Sequence, residues 1–207
     1  MYSYVTGIIL AGGKSKRMGE NKSFLKLGDK SVIEKITDLM KNIFKNVLLI
    51  TNTTDEYKFL SIPIYEDIYK YKGPLAGIHS GLTHSITQNN FIISCDIPLM
   101  TEKMIKYIVD YKTDKLITVC KADGFIQQLA GRYSKNVLPC AEEIILEDSK
   151  EVRGDKQEQR KCNVLNLLDK VGAEIIDAED LDIYKGNIFF NMNKPEDYKK
   201  IINLDWS

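Results

Sequence analysis

The chain is poor in the groups that usually do acid–base or metal chemistry. Only two histidines, His79 and His84, occur in its 207 residues. They are five apart, which does not place them on one helical face, so a histidine metal pair is excluded and both are expected as polar helix-surface residues. The four cysteines, Cys95, Cys120, Cys140 and Cys162, show no C-x-x-C spacing. Zinc is therefore not expected, and with no secretory leader read ahead of them they are taken as reduced thiols of a cytoplasmic protein. Net charge is also lacking, because 29 Lys+Arg balance 29 Asp+Glu, so no bulk positive field exists to hold nucleic acid or an anionic membrane. No apolar run approaches the roughly 18 residues of a membrane span, and there is no internal repeat or low-complexity tract. What remains is a chain with 43% hydrophobic residues, a length and composition that fit a single domain over 1–207.

Phosphate binding, if present, must then be local, and one segment offers it. An apolar run from Tyr4 to Leu10 leads into Leu10-Ala11-Gly12-Gly13-Lys14-Ser15-Lys16-Arg17-Met18-Gly19-Glu20-Asn21-Lys22. A strand ending in Gly-Gly lets backbone N–H groups approach an anion with no Cβ in the way, and Arg17 and Lys22 add positive charge to the same loop. The spacing is not that of a Walker A loop, since five residues separate Gly13 from Gly19 and the lysine stands three places after Gly19. Nor is it the Gly-x-Gly-x-x-Gly dinucleotide fingerprint. A glycine turn with surface cations would explain Gly-Gly alone. The eight fixed residues of the full string (Leu, Ala, Gly, Gly, Arg, Met, Gly, Lys) recur by chance with a probability on the order of 10⁻⁸, which favours a built site.

Short β-rich runs alternate with amphipathic stretches, predicting an α/β fold in three α/β/α layers, with a mostly parallel Rossmann-like sheet. Strands are expected at 4–10, 46–51, 61–65, 90–95, 115–121, 125–133, 173–176 and 187–191. Ser31-Val32-Ile33-Glu34 reads as a capping box opening the first crossover helix. Asp123-Gly124 predicts a hairpin, hence one antiparallel element. Pro74 opens a helix expected to run to about Thr87, and Pro195 opens the last one. The segment 147–162 is highly charged with little to bury, and is expected as a mobile loop or solvated helix end. In such sheets ligands sit beyond the carboxyl ends of the strands, at the switch in strand order. The glycine loop, Asp67, Asp96 and the pair Asn191 and Asn193 all fall there.

The glycine string resembles the signature loop of nucleotidyltransferases that activate small metabolites with an NTP. Its double glycine at 12 and 13 points to the molybdenum cofactor guanylyltransferases, since related cytidylyltransferases usually read Leu-Ala-Ala-Gly. Three further segments resemble that family in the same order. They are Glu66-Asp67 leading to Gly73-Pro74-Leu75-Ala76-Gly77, then Cys95-Asp96-Ile97-Pro98, then Phe190-Asn191-Met192-Asn193-Lys194-Pro195-Glu196-Asp197. The resemblance implies a GMP transfer from GTP to molybdenum-molybdopterin, with molybdoenzyme apo-proteins or their chaperones as further partners. It also implies nucleotide contacts from the Leu10–Gly12 backbone, Gly13, Lys22, Asp67 and Gly73. Two positions depart from the family. The asparagine usual after the second strand is matched by Ile50, with Asn52 two residues later as the candidate for its nucleotide contact, and Gln127-Gln128-Leu129, in a loop expected to face the acceptor, replaces the expected Gln-Pro-Leu ahead of Tyr133.

The chemistry of such a transfer suits these residues. Both reactants are polyanions, so catalysis is mainly charge neutralisation and alignment. Mg²⁺ keeps several waters and takes one or two protein oxygens besides phosphate oxygens, which suits Asp96 as anchor and Asn193 as helper. Amides of Ala11 to Gly13 would hold the triphosphate, Arg17 would neutralise departing pyrophosphate, and Lys22 would bridge to the α-phosphate. An attacking phosphate, with a second pKa of about 6, is already ionised and needs no histidine base. A carboxylate accepts from both guanine N1–H and its exocyclic amine, so Asp67 is the candidate base reader. Rival readings are another NTP or acceptor, such as a cytidylyl or sugar-phosphate transferase, or a non-catalytic carrier of the cofactor. The carboxylate Asp96 beside a complete glycine loop argues against mere carriage.

Overall fold

The computed structural model describes residues 1–12, 21–150 and 163–204. The expectations for Gly13, Arg17 and residues 151–162 lie outside these.

One seven-stranded sheet organises the described residues. Strand β1 (Tyr2–Leu10) lies third in it, and is followed along the chain by a two-stranded ribbon of β2 (Lys26–Leu27) and β3 (Lys30–Ser31). Helix α1 (Val32–Ile43) leads straight into β4 (Phe44–Ile50), and β5 (Ile64–Tyr65) and α2 (Pro74–His84) lead to β6 (Asn89–Ser94). Then come α3 (Glu102–Asp110), β7 (Ile117–Ala122), β8 (Phe125–Ser134), α4 (Leu138–Lys150), α5 (Val164–Val171), β9 (Glu174–Asp177) and α6 (Pro195–Ile201). The sheet order is β5-β4-β1-β6-β8-β7-β9, and β8 alone runs against its neighbours. This is the expected α/β/α architecture, with β8 as its antiparallel element. The switch in strand order falls between β1 and β6.

Local signals account for much of this. From Val5 onward every residue of β1 is buried, as a central strand covered on both faces requires. Val5 and Ile9 enter the layer under α1 and α3, whereas Ile8 and Leu10 enter the layer under α2, α4 and α5. Two glycines allow the helices to come close. A Cβ on Gly7 would lie 2.8 Å from both Met40 Cε and Phe44 Cδ2, and one on Gly81 would lie 2.6 Å from Ile8 Cγ2. The Ser31 and Glu34 capping box is formed, with the Ser31 amide donating to Glu34 Oε2 at 2.7 Å. Asp123 and Gly124 turn the β7–β8 hairpin with φ of 52° and 76°, the two positive values that a tight two-residue turn demands.

Three expectations are corrected. Residues 187–191 are not a strand: Gly186 and Asn187 have φ of 60° and 55°, and the Phe190 amide bonds back to the Asn187 carbonyl at 2.8 Å. Their apolar side chains are nevertheless buried, since Ile188, Phe189 and Met192 pack into the core as an irregular segment. The helix opened by Pro74 stops at His84, because Ser85 turns extended and Thr87 Oγ1 bonds Thr6 Oγ1 at 2.7 Å. His79 is not a surface residue but is 6% exposed, as α2 is wedged between the sheet and α4 and buried continuously from Leu75 to Leu82. Of the charged segment, Glu147 to Lys150 form the last turn of α4. Among the described residues no helix is long and apolar enough to cross a membrane.

Candidate functional site

The carboxyl ends of β1, β4 and β6 meet at the switch point. Backbone pairing continues just past the strands, with the Ala11 amide on the Ile50 carbonyl at 2.9 Å and the Cys95 amide on the Leu10 carbonyl at 3.0 Å. The chain is thus held rigidly up to Ala11. A Cβ at Gly12 would meet nothing within 4 Å among the described residues, so their packing does not demand glycine there. Its absence leaves the backbone open on the crevice side, as a phosphate cradle needs.

Lys22 starts a single helical turn, Lys22–Phe24, capped by the Asn21 side chain. Its ammonium gathers three segments distant in sequence. It donates to Asp96 Oδ2 at 2.8 Å, to Asn193 Oδ1 at 3.1 Å and to the Met192 carbonyl at 3.2 Å. The Met192 amide in turn donates to the Asp96 carbonyl at 2.9 Å, locking the loop before α6 onto the end of β6. Asp96 Oδ1, by contrast, is buried with no hydrogen-bond partner among the described residues. An unpaired buried carboxylate oxygen is costly, so a ligand for it is implied. Among the described residues no group of three or more His, Cys, Asp or Glu is arranged to hold a metal ion. A cation here would therefore draw on one carboxylate, a neighbouring amide oxygen, water and substrate, a donor set that fits Mg²⁺.

Asp67 and Asn52 form a second group. Asn52 Nδ2 donates to Asp67 Oδ2 at 2.7 Å, and the Asp67 amide donates to Asn52 Oδ1 at 3.3 Å. A Cβ on Gly77 would lie 3.4 Å from Leu10 Cδ2 and 3.6 Å from Asp67 Oδ1, so this pair sits beside the end of β1. Burial pushes the Asp67 carboxyl above its usual range, partly countered by the Asn52 hydrogen bond. Gly73 precedes α2 with φ of 73°, a backbone shape that disfavours a side chain, and Pro74 follows in the first turn. The loop between is tied down at several points: the Ile68 amide donates to Ser80 Oγ at 2.8 Å, Tyr69 to Glu142, and Lys72 to Asp148 at 2.8 Å.

Of the candidates named from sequence, Lys22, Asp96 and Asn193 are brought together, as are Asn52 and Asp67. Asn191 is not, since its amide turns back to the Phe189 carbonyl at 3.2 Å. Sequence reasoning missed the Met192 carbonyl, which no side-chain pattern can reveal. It also missed Asp197, whose Oδ2 accepts the Asn193 and Lys194 amides at 2.9 Å each and so fixes the backbone that carries Asn193. An acid three residues after the residue before a helix-opening proline is a capping signal that could have found it.

A rigid strand end opening on a glycine, with a lysine and a carboxylate at the switch of a doubly wound sheet, defines a class. Residues 7–161 match the MobA-like NTP transferase domain, and the chain is a nucleotidyltransferase. A Carboxydothermus hydrogenoformans protein named "Probable molybdenum cofactor guanylyltransferase" is 33% identical over 202 residues, 97% of this chain and 96% of that one. A crystal structure from Aquifex aeolicus VF5 superposes with a TM-score of 0.75 at 28% identity, covering 93% of this chain and 95% of the other. The molybdopterin-guanine dinucleotide biosynthesis protein A of Archaeoglobus fulgidus shares the fold, with a TM-score of 0.77 at 21% identity over 95% and 96% of the two chains. The chain belongs to the molybdenum cofactor guanylyltransferase family.

Proposed function

We propose that this nucleotidyltransferase moves GMP from Mg-GTP onto the terminal phosphate of molybdenum-molybdopterin, giving molybdopterin guanine dinucleotide cofactor and pyrophosphate. The observation that carries the reading is Asp96, with one oxygen on the Lys22 ammonium and the other buried without a partner among the described residues. The relatives named as guanylyltransferases over nearly the whole chain support the donor and acceptor.

In this reading Ala11, Gly12 and Gly13 offer backbone amides to the triphosphate, and Arg17 neutralises the departing pyrophosphate. Lys22 leaves Asp96 for the α-phosphate, where negative charge gathers as the acceptor oxygen bonds to phosphorus and the bond to the β-phosphate oxygen breaks. Asp96 and Asn193 would hold Mg²⁺, which when bound screens the phosphate charges and orients them. Asp67, with Asn52 steadying one carboxylate oxygen, accepts from the guanine edge, and Gly73 lets the loop approach the nucleotide. The hairpin strand containing Gln127, Gln128 and Leu129 extends beyond the end of β6 at the same rim, and in this reading it faces the acceptor. The whole chain acts as one domain in the cytoplasm, which suits its free cysteines Cys95, Cys120 and Cys140.

Pyrophosphate release measured over GTP, CTP, ATP and UTP, with and without molybdenum-molybdopterin, tests the reading. Release from GTP alone among the four, and only with the acceptor present, is expected. Equal use of CTP would remove the guanylyl assignment, and release without acceptor would remove the transfer.

A further inference from the structure

The turn that carries Lys22 is gripped by a side chain from a different element. Tyr57 lies in the short helical turn Thr54–Leu60 after β4 and is only 2% exposed, although it is a phenol. Its ring stacks on Phe24 with centroids 5.0 Å apart and planes at 30°. Its hydroxyl accepts from Asn21 Nδ2 at 3.0 Å and lies 2.8 Å from Ser23 Oγ. Ser23 Oγ donates its single proton to Asn21 Oδ1 at 2.5 Å, so in the remaining pair the Tyr57 hydroxyl must be the donor. Tyr57, Ser23 and Asn21 thus close a ring of hydrogen bonds in which each side chain both gives and receives. Bonds in such a ring polarise one another, and out of water the arrangement resists opening. The two residues held are the immediate neighbours of Lys22.

We propose that Tyr57, acting through Asn21 and Ser23, is a positioning residue that sets where the Lys22 ammonium meets the reacting phosphate. The inference rests on the role given to Lys22 above. A lysine reaches its target through four flexible methylenes, so the place of the ammonium depends on a fixed starting point. Here both flanks of that starting point are bonded to one hydroxyl on the turn after β4, while the ammonium bridges Asp96, Met192 and Asn193. If Tyr57 only filled the core, its ring would suffice and its buried hydroxyl would be a burden. Instead the hydroxyl is the hinge of the ring, and losing it frees Asn21 and Ser23 to pair with water and let the turn shift. Misplacement of a reacting group by about 1 Å is enough for large losses in rate.

Pyrophosphate release from GTP and Mg²⁺ with molybdenum-molybdopterin is to be compared in the wild type, Tyr57→Phe, Lys22→Ala and the double variant. Tyr57→Phe keeps the stack on Phe24, and kcat is expected to fall about tenfold with the KM for GTP changed less than about twofold. Added to Lys22→Ala, it should cost less than about a further twofold, because residues that act through one another are not additive. Ser23→Ala breaks the ring at another member in a fully buried site, and should reproduce the loss of Tyr57→Phe. Wild-type kcat in Tyr57→Phe, or a loss that multiplies in full onto Lys22→Ala, overturns the inference. A severe Lys22→Ala beside silent Tyr57→Phe and Ser23→Ala removes this inference alone. A silent Lys22→Ala removes the role of Lys22 itself.

Discussion

Asp96→Asn is the most incisive single change, because the structure dictates how the new amide must sit. The two groups are largely shielded, with side-chain exposures of 19% for Lys22 and 16% for Asp96, so their charges act at short range in partly desolvated surroundings. Lys22 has only donors and stands 2.8 Å from Oδ2. The amide of the variant must therefore turn its oxygen to Lys22, leaving its nitrogen at the buried Oδ1 position. A hydrogen-bond donor then points where a cation is required, and the anionic charge is gone. Loss of at least 100-fold in kcat is expected, which corresponds to about 2.7 kcal/mol at 1.36 kcal/mol per tenfold. The fold should survive, since the Asp96 carbonyl still receives the Met192 amide and Lys22 keeps an oxygen partner. Its melting point should move far less than the loss of turnover suggests. Single-turnover pyrophosphate release at saturating Mg²⁺ and GTP measures the first, and nucleotide titration without acceptor shows whether GTP affinity changes much less. Turnover within about threefold of wild type would show that Asp96 holds no cation, and the unpartnered oxygen would be only a structural defect.

Other consequences are open to direct measurement. Lys22→Ala should lose a charge-assisted phosphate contact of roughly 1.5 to 3 kcal/mol in kcat/KM, and an unchanged rate would show that Lys22 merely neutralises Asp96. Asp67→Ala should erode a preference for GTP over ATP and CTP that is on the order of 10² or more in the wild type, and competition assays that find the preference intact would free Asp67 of that role. Asp67 must be ionised to accept from guanine and its carboxyl is pushed up by burial, so GTP selectivity should begin to fall at a pH above the ordinary carboxylate range, a limb absent from Asp67→Ala. Burial holds His79 below the usual histidine value, against the opposing charge of Glu142. The unfolded chain then takes up the proton first, so stability should be full above a pH of about 6.5 and decline below it, and His79→Leu should flatten that decline in urea titrations.

The sequence made the fold legible where one physical cause dominates. Central strands such as β1 read as unbroken apolar runs, the Ser31 box starts α1, and Asp123-Gly124 turns the hairpin because its backbone shape admits few other residues. The weaker parts are those where an apolar run has two meanings. Ile188, Phe189 and Met192 are buried as a strand would bury them, but Gly186 and Asn187 bend the backbone out of the sheet, and that dipeptide was the available signal. His79 reads from sequence as a surface residue only because that is where histidines of helices usually lie. A Cβ on Gly81 would lie 2.6 Å from Ile8 Cγ2, so its absence lets α2 press into the sheet, while α4 covers another side. Lys22, Asp96 and Asn193 could be picked out because phosphate chemistry selects few residue types. The supports of Lys22, which are Tyr57, Ser23 and a main-chain carbonyl, are ordinary residues whose meaning lies only in their partners.

The pairing of Lys22 with Asp96 answers an electrostatic problem that any such site must meet before substrate arrives. A carboxylate kept partly dry for a cation is costly alone, and an ammonium kept partly dry for a phosphate is equally so. Bonded to each other at 2.8 Å, they spare both charges that isolation. Nucleotide with its divalent cation brings a new partner for each at once, so in the proposed reading the exchange leaves neither charge bare. A nucleotide lacking its cation would offer the ammonium a phosphate and leave Asp96 with nothing. GTP should therefore bind more weakly without Mg²⁺ in the wild type than the loss of phosphate screening alone requires, and Asp96→Asn should bind metal-free GTP at least as well as the wild type does. Isothermal titration in the presence of a chelator compares them directly, and a wild type that takes up metal-free GTP more tightly than Asp96→Asn would refute the exchange.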